Sequence, residues 1–242
     1  MVKKKLKPGV EICPLCDLKK TRFFMRENNY ILFKCRVCHF AFRKDRISEI
    51  EEGFSFQNEV RSAYQAIDKS IDEINQRLAL RIINFLKQYG LRGGSVMEVG
   101  CGSASIGKVI QRSFPELAYI GIEPSGYFPS VEKNPELTIL STAKIDDHIA
   151  PESQDALIFN HVLEHVPDPR SMVPYYLRFL KPGGLVYVEV PNEQWKKIIT
   201  PLMRFVRGTS SGMFAGHINF FTQKSLHVFV SAFGLEMRGG GL

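Results

Sequence analysis

No apolar run in these 242 residues approaches the ~20 that a bilayer-spanning helix needs. The opening residues Met1-Val2-Lys3-Lys4-Lys5-Leu6-Lys7-Pro8 are basic, but no apolar h-region follows, so they do not read as a secretory signal. A cytoplasmic protein with no transmembrane segment is the resulting expectation. Cysteine is scarce, five in all, and in a reducing compartment five thiols point to metal or free cysteine rather than to disulfides. Acidic residues are thin at one end. Residues 1–46 hold 13 Lys/Arg against 4 Asp/Glu, a formal +9, whereas the remainder is −2. The basic pI therefore belongs to the first segment. Such a patch suits nucleic acid or another polyanion, and it serves equally as a solvated surface on a small module.

Four of the five cysteines form a pattern. Cys13-Pro14-Leu15-Cys16 and Cys35-Arg36-Val37-Cys38 are separated by 18 residues. Each pair can wrap a turn that presents two thiolates, and two such turns complete a tetrahedron around zinc. Phe23-Phe24 and Tyr30-Ile31-Leu32-Phe33 between them read as the short strands of a zinc ribbon. Four thiolates leave no open position, so the Zn2+ expected at Cys13, Cys16, Cys35 and Cys38 is structural. A module of ~45 residues also has too little core to fold without it. His39 follows the last Cys and reads as a bystander, and Cys101 as a small filler.

Residues 46–57 read as a linker. No Gly or Pro occurs from Val60 to Tyr89, and Val60, Ala63, Tyr64, Ile67, Ile71, Ile74, Leu78, Ile82 and Phe85 recur at three- and four-residue intervals. That is one stripe on a long amphipathic helix, or two successive helices. The stretch Val96 to Ser105 then reads as a buried strand, a small-residue loop and the start of a helix. Gly100, Gly102 and Ala104 keep bulk away from a tight turn, so that a ligand can lie against the main chain. A second strand, Ala118 to Ile122, ends in Glu123-Pro124. Glu123 lies 21 residues beyond Gly102, near the interval at which dinucleotide-type sites place a ribose-binding acid.

Further strands are predicted at Leu137–Leu140, Asp155–Phe159 and Leu185–Val190. A helix is predicted from Ser171 to Leu180, and Lys181-Pro182-Gly183-Gly184 reads as a turn before the fifth strand. The alternation predicts an α/β fold, a mostly parallel sheet with helices on both faces. A sixth strand is expected near Leu235 to Arg238, with the usual final hairpin incomplete. The domain division read from the sequence is a zinc ribbon at 1–45, a linker and long helix at 46–90, and a ligand-binding α/β domain at 91–242.

Glu98-Val99-Gly100-Cys101-Gly102, Glu123, the stretch Asp155 to Pro169 with Val162-Leu163-Glu164-His165-Val166, and Leu180-Lys181-Pro182-Gly183-Gly184 stand in order at suitable spacing. Together they resemble the class I S-adenosylmethionine-dependent methyltransferases, over roughly residues 80–240. The resemblance implies a Rossmann-like sheet and S-adenosylmethionine as cofactor. It also implies cofactor contacts from Glu98, Gly100, Cys101, Gly102, Ala104, Glu123, Pro124, Asn160 and His161. The family often carries an acid after the third strand, where this chain has Ser141-Thr142, with Asp146-Asp147 only later. A cysteine-pair module ahead of this subgroup is similar to the sugar C-methyltransferases.

Methyl transfer to a hydroxyl or an acidic carbon needs a base nearby. His165, Glu164 and His217 are the candidates. The plainer alternative has Glu164-His165 closing the pocket and capping the next helix. Pro191 to Phe221 is too long for a simple connection and reads as a substrate lid, or as an interfacial helix in peripheral contact with a membrane. Trp195, Ile198 and Leu202 would form its apolar face. The expected function is methylation of a small molecule, of which a nucleotide-linked sugar or surface-glycan precursor is the class the resemblance suggests. The alternatives are an rRNA or tRNA methyltransferase reading RNA through the basic ribbon, and a non-catalytic binding protein that keeps the fold. The sequence leaves the oligomeric state open.

Overall fold

Apolar runs bounded by glycine and polar residues become strands, and the striped segments between them become helices. The computed structural model describes residues 11–27, 30–45, 68–123, 137–192 and 217–239. In chain order the elements are β1 (Thr21–Glu27), β2 (Tyr30–Cys35), β3 (Ala41–Arg43), α1 (Asp68–Gln88), β4 (Gly94–Val99), α2 (Ser105–Ser113), β5 (Leu117–Glu123) and β6 (Thr138–Ser141). A short α3 (Ile145–His148), β7 (Gln154–Asn160), α4 (Pro169–Leu177), β8 (Leu180–Glu189), β9 (Asn219–Phe220) and α5 (Gln223–Ser231) follow. No described helix is long and apolar enough to cross a membrane.

Two compact units result, and they do not follow the linear division at residues 45 and 90. One comprises Gly53–Val162 and Met172–Glu189, the other Met1–Glu52, Leu163–Ser171 and Val190–Leu242.

The first of these is a five-stranded sheet in the order β6-β5-β4-β7-β8, every neighbouring pair parallel. Val96 to Val99 are all buried, as expected of a central parallel strand covered on both faces. Ile82 and Leu86 of α1, Ile106 and Ile110 of α2, Leu117 and Tyr119 of β5 and Ile158 of β7 share one core. The predicted turn at Lys181–Gly184 is instead part of β8. Gln154 pairs with Leu180 while Ala156 pairs with Leu185, so the strand starts early and carries a bulge. Pro182 has no N–H to give and Gly183 adopts φ 77°, so these residues bow out of the ladder without ending it.

The other unit is antiparallel, in the order β1-β2-β3-β9. Phe24, Leu32, Ala41 and Phe220 form its core. The ribbon's sheet is thus completed by a strand from the far end of the sequence, with Ala41 opposite Phe220 and Phe42 opposite Asn219. Thr222 caps α5 in a reciprocal box with Ser225. The expected sixth strand near Leu235–Arg238 is not formed. The Leu235 N–H folds back on the Val230 carbonyl at 3.3 Å and closes the helix, and the described residues beyond it are irregular.

Candidate functional site

Polar residues stand at or beside the carboxyl ends of four parallel strands: Glu98 on β4, Glu123 on β5, Asn160 on β7 and Glu189 on β8. In an open α/β sheet, ligands bind beyond those ends. Glu98 is only 2% exposed, and its carboxylate accepts the Tyr119 hydroxyl proton. Burial pushes its pKa up to about 7, against the lowering effect of the Tyr119 hydrogen bond.

After β4 the chain turns sharply. Gly100 and Gly102 have φ of 70° and 54°, and Ala104 adopts φ 52°. Glycine takes these values without cost, whereas alanine holds one because it is fully buried at the start of α2. The N–H groups of Gly100 and Cys101 both donate to the Ile122 carbonyl, at 2.8 and 3.1 Å. The Cys101 thiol packs beside Gly121, and burial raises its pKa, which fits an inert filler.

The Gly102 N–H donates to Glu123 Oε2 at 2.8 Å, so the acid ties the glycine loop to the end of β5. Burial pushes Glu123 up to about 7, and the Gly102 hydrogen bond pulls it down. Asn160 closes β7, and its Oδ1 is buried with no hydrogen-bond partner among the described residues. An orphaned acceptor at a strand end is a place for a ligand's donor. His161 follows with φ 54°, its N–H donating to the Glu189 carbonyl at 2.9 Å. Pro124 and the whole stretch 193–216, with Trp195, Ile198 and Leu202, lie outside the described residues.

Sequence reasoning missed the Glu189 cluster. Arg81 of α1 donates to Glu189 Oε1 at 2.5 Å, the Tyr187 hydroxyl donates to Oε2, and His161 Nε2 lies 3.9 Å from Oε1. Glu189 raises the Arg81 pKa, whereas burial raises that of Tyr187. The signal was present: an acid ends an apolar strand here, as Glu123 does. Asp146 pairs with Arg178 and accepts from the Tyr175 hydroxyl at 3.1 Å.

The other unit carries two clusters. Glu164, His165 and His217 bring their ligand atoms within 4.8 Å of one another, with the two imidazoles edge to face at 4.7 Å between centroids. Asn219, 1% exposed, makes the bracket: its Nδ2 donates to the carbonyls of Leu163 and Val166, at 2.8 and 2.6 Å. The helix α4 is capped not by Glu164 or His165 but by Asp168, which accepts from the Ser171 N–H and hydroxyl at 3.2 and 2.6 Å.

The four ribbon cysteines also lie within 4.8 Å of one another, with Sγ–Sγ distances of 3.6 Å (Cys13–Cys38) and 3.7 Å (Cys16–Cys35). A tetrahedron with Zn–S bonds of ~2.3 Å has edges of about 3.8 Å, so the donor set fits that ion. Asp17 and His39, each one residue past the second cysteine of its pair, both adopt positive φ, 57° and 66°. The Val37 N–H points at Cys35 Sγ, 3.4 Å away. A hydrogen bond from Cys38 draws Cys13 down to about 5, and Cys13 in turn pushes Cys38 up, while burial pushes Cys16 up to about 11. Thiols brought this close can ionise together only beside a cation, which the tetrahedral donor set would accommodate.

Comparison with known proteins agrees with this geometry. The ubiquinone biosynthesis O-methyltransferase of Vibrio cholerae is 30% identical over 118 residues, 47% of this chain and 48% of that protein. That of Proteus mirabilis is 30% identical over 122 residues, 47% of this chain and 49% of that one. The chain thus spans about half the length of the curated relatives it matches. Among solved structures, a SAM-dependent methyltransferase of Thermotoga maritima aligns with a TM-score of 0.53 at 18% identity, over 76% of this chain and 79% of that one. Another from Archaeoglobus fulgidus aligns at 0.50 and 16%, over 67% and 68%. The sequence model of the family described as "Methyltransferase domain" matches residues 71–238. On that match, and with a parallel five-stranded sheet of the Rossmann-like kind, the chain belongs to the methyltransferase domain family of class I, S-adenosylmethionine-dependent fold.

Proposed function

We propose that the chain binds S-adenosylmethionine at the ends of β4, β5 and β7 and transfers its methyl group to a small molecule. The observation that carries the reading is the Gly102–Glu123 hydrogen bond, which fixes a glycine loop and a ribose-reaching acid on adjacent strands. The second Glu123 oxygen would accept from a ribose hydroxyl, and Asn160 Oδ1 would accept from the cofactor's amino group. The cofactor supplies an activated methyl group on a sulfonium, so the protein's task is positioning. The four ribbon thiolates would hold a structural Zn2+.

The acceptor class follows from weaker support. The matched relatives bear a ubiquinone-pathway O-methyltransferase name, and the cysteine-pair module is similar to the sugar C-methyltransferases. Both favour a small acceptor with a hydroxyl or enolisable carbon, a nucleotide-linked sugar among them. The test is transfer of labelled methyl from the cofactor to cell extract split into small-molecule, RNA and lipid fractions. Label in the small-molecule fraction is expected. Label confined to RNA would instead make the exposed Lys19, Lys20, Arg22 and Arg36 of the ribbon the reader. No cofactor binding at millimolar concentration would leave a non-catalytic relative of the fold.

A further inference from the structure

We propose that Glu164, His165 and His217 form a second divalent-metal site, different in chemistry from the four-thiol centre. The three ligand atoms already lie within 4.8 Å of one another. Ligand bonds of ~2.1 Å place neighbouring donors roughly 3.0–3.4 Å apart, so small side-chain rotations close the set. The two imidazole rings stand edge to face at 78°, an arrangement that can aim two nitrogens at one point. Glu164 is 1% exposed, so its carboxyl group faces this cluster rather than bulk water.

The backbone holds the three in place without help from an ion. The Glu164 carbonyl accepts from the N–H groups of Ile218 and Asn219, at 2.8 and 3.1 Å. The Asn219 side chain spans the Leu163 and Val166 carbonyls across the same seam. Segments more than fifty residues apart in sequence are therefore locked in register, and the ligands rest on that lock. Two nitrogens and a carboxylate select zinc or a similar first-row dication over magnesium or calcium. Three protein ligands leave a coordination position open, unlike the closed thiolate set.

The inference stands apart from the methyl-transfer reading, because metal binding decides it. The chain, zinc-loaded at its thiolates, is titrated with Co2+ and followed by equilibrium dialysis and visible absorption. One further equivalent should bind, giving weak d–d bands without the intense sulfur-to-metal charge transfer that thiolate cobalt shows. His217→Ala and His165→Asn should each weaken that equivalent at least ~10-fold while the thiolate zinc is retained. Glu164→Gln should do the same, and if the buried substitution prevents folding the two histidine variants decide. No second equivalent at millimolar Co2+, or a second equivalent equally tight in the histidine variants, would overturn the proposal.

Discussion

Glu123 combines two features: a place at the end of an apolar strand and a backbone partner, Gly102, in the neighbouring loop. Gln at this position can still accept the Gly102 N–H but carries no charge. Glu123→Gln should therefore keep the loop and raise the Kd for S-adenosylmethionine, by about 1.5–3 kcal/mol or roughly 10- to 100-fold, as read by isothermal titration calorimetry. An unchanged Kd would remove Glu123 from the cofactor site. Its pKa of about 7, raised by burial, sets a pH dependence. A cationic cofactor favours the carboxylate, so affinity should rise as pH rises through about 7 and level off above it, with a smaller slope in the Gln variant.

Stability of the free protein runs the other way. Glu98 and Glu123 both have folded pKa values above their ordinary 4.5. The unfolded chain then releases protons first, so the full contribution is present below about 4.5 and is lost as pH rises towards about 7. Tyr119→Phe removes the hydroxyl that solvates Glu98, and should cost about 1–3 kcal/mol at pH 8 and less at pH 5, where the carboxyl is protonated. Equal losses at both pH values in urea unfolding would count against a buried, ionising Glu98.

At the scale of elements, the parallel strands were legible because buried strands read as short apolar runs, Val96–Val99 and Asp155–Phe159 among them. The thiol centre was legible because its ligand spacing is local. Two elements were not. β9 is only two residues long, and its pairing with β3 joins Phe42 to Asn219, a contact no local pattern encodes. The turn at Lys181–Gly184 looked like a boundary because proline and glycine disfavour a ladder, yet pairing that begins at Leu180 tolerates them as a bulge.

The β3–β9 pairing makes a prediction of its own. Stripping metal from the thiolates should loosen β9 together with the ribbon, since the ribbon's small core of Phe24, Leu32, Ala41 and Phe220 draws on both. Hydrogen exchange should then lose protection at Ala41–Arg43 and Asn219–Phe220 in parallel. Protection lost at Ala41–Arg43 alone would show that β9 is held by something other than the ribbon sheet. The close approach of Gly107 to Tyr119 is a second element-scale constraint. A Cβ there would lie 2.3 Å from the ring, so Gly107→Ala should push α2 off the sheet and cost about 1–3 kcal/mol in thermal or denaturant unfolding.

At the scale of the whole molecule, the sequence suggested a module followed by a domain, because composition shifts sharply after residue 46. The structure instead threads the chain so that Leu163–Ser171 and Val190–Leu242 join the ribbon's unit. Composition could not reveal this, since only the pairing of Asn219–Phe220 with Ala41 and Phe42 marks that strand as part of the ribbon's sheet. The cysteines and the Glu164 cluster therefore belong to one unit, and the glycine loop, Glu123 and Asn160 to the other. Each unit has its own buried cluster, one around Ile82, Val96 and Ile158, the other around Phe24, Leu32 and Phe220. Separate cores with separate ligands predict separable thermal responses. In scanning calorimetry, S-adenosylmethionine at 100 times its Kd should stabilise the unit that binds it by about 2.7 kcal/mol, raising one transition. A chelator should lower or abolish the other and leave the cofactor-dependent shift in place. A single transition moved by both agents would mean that the two units unfold as one and that metal and cofactor are thermodynamically coupled.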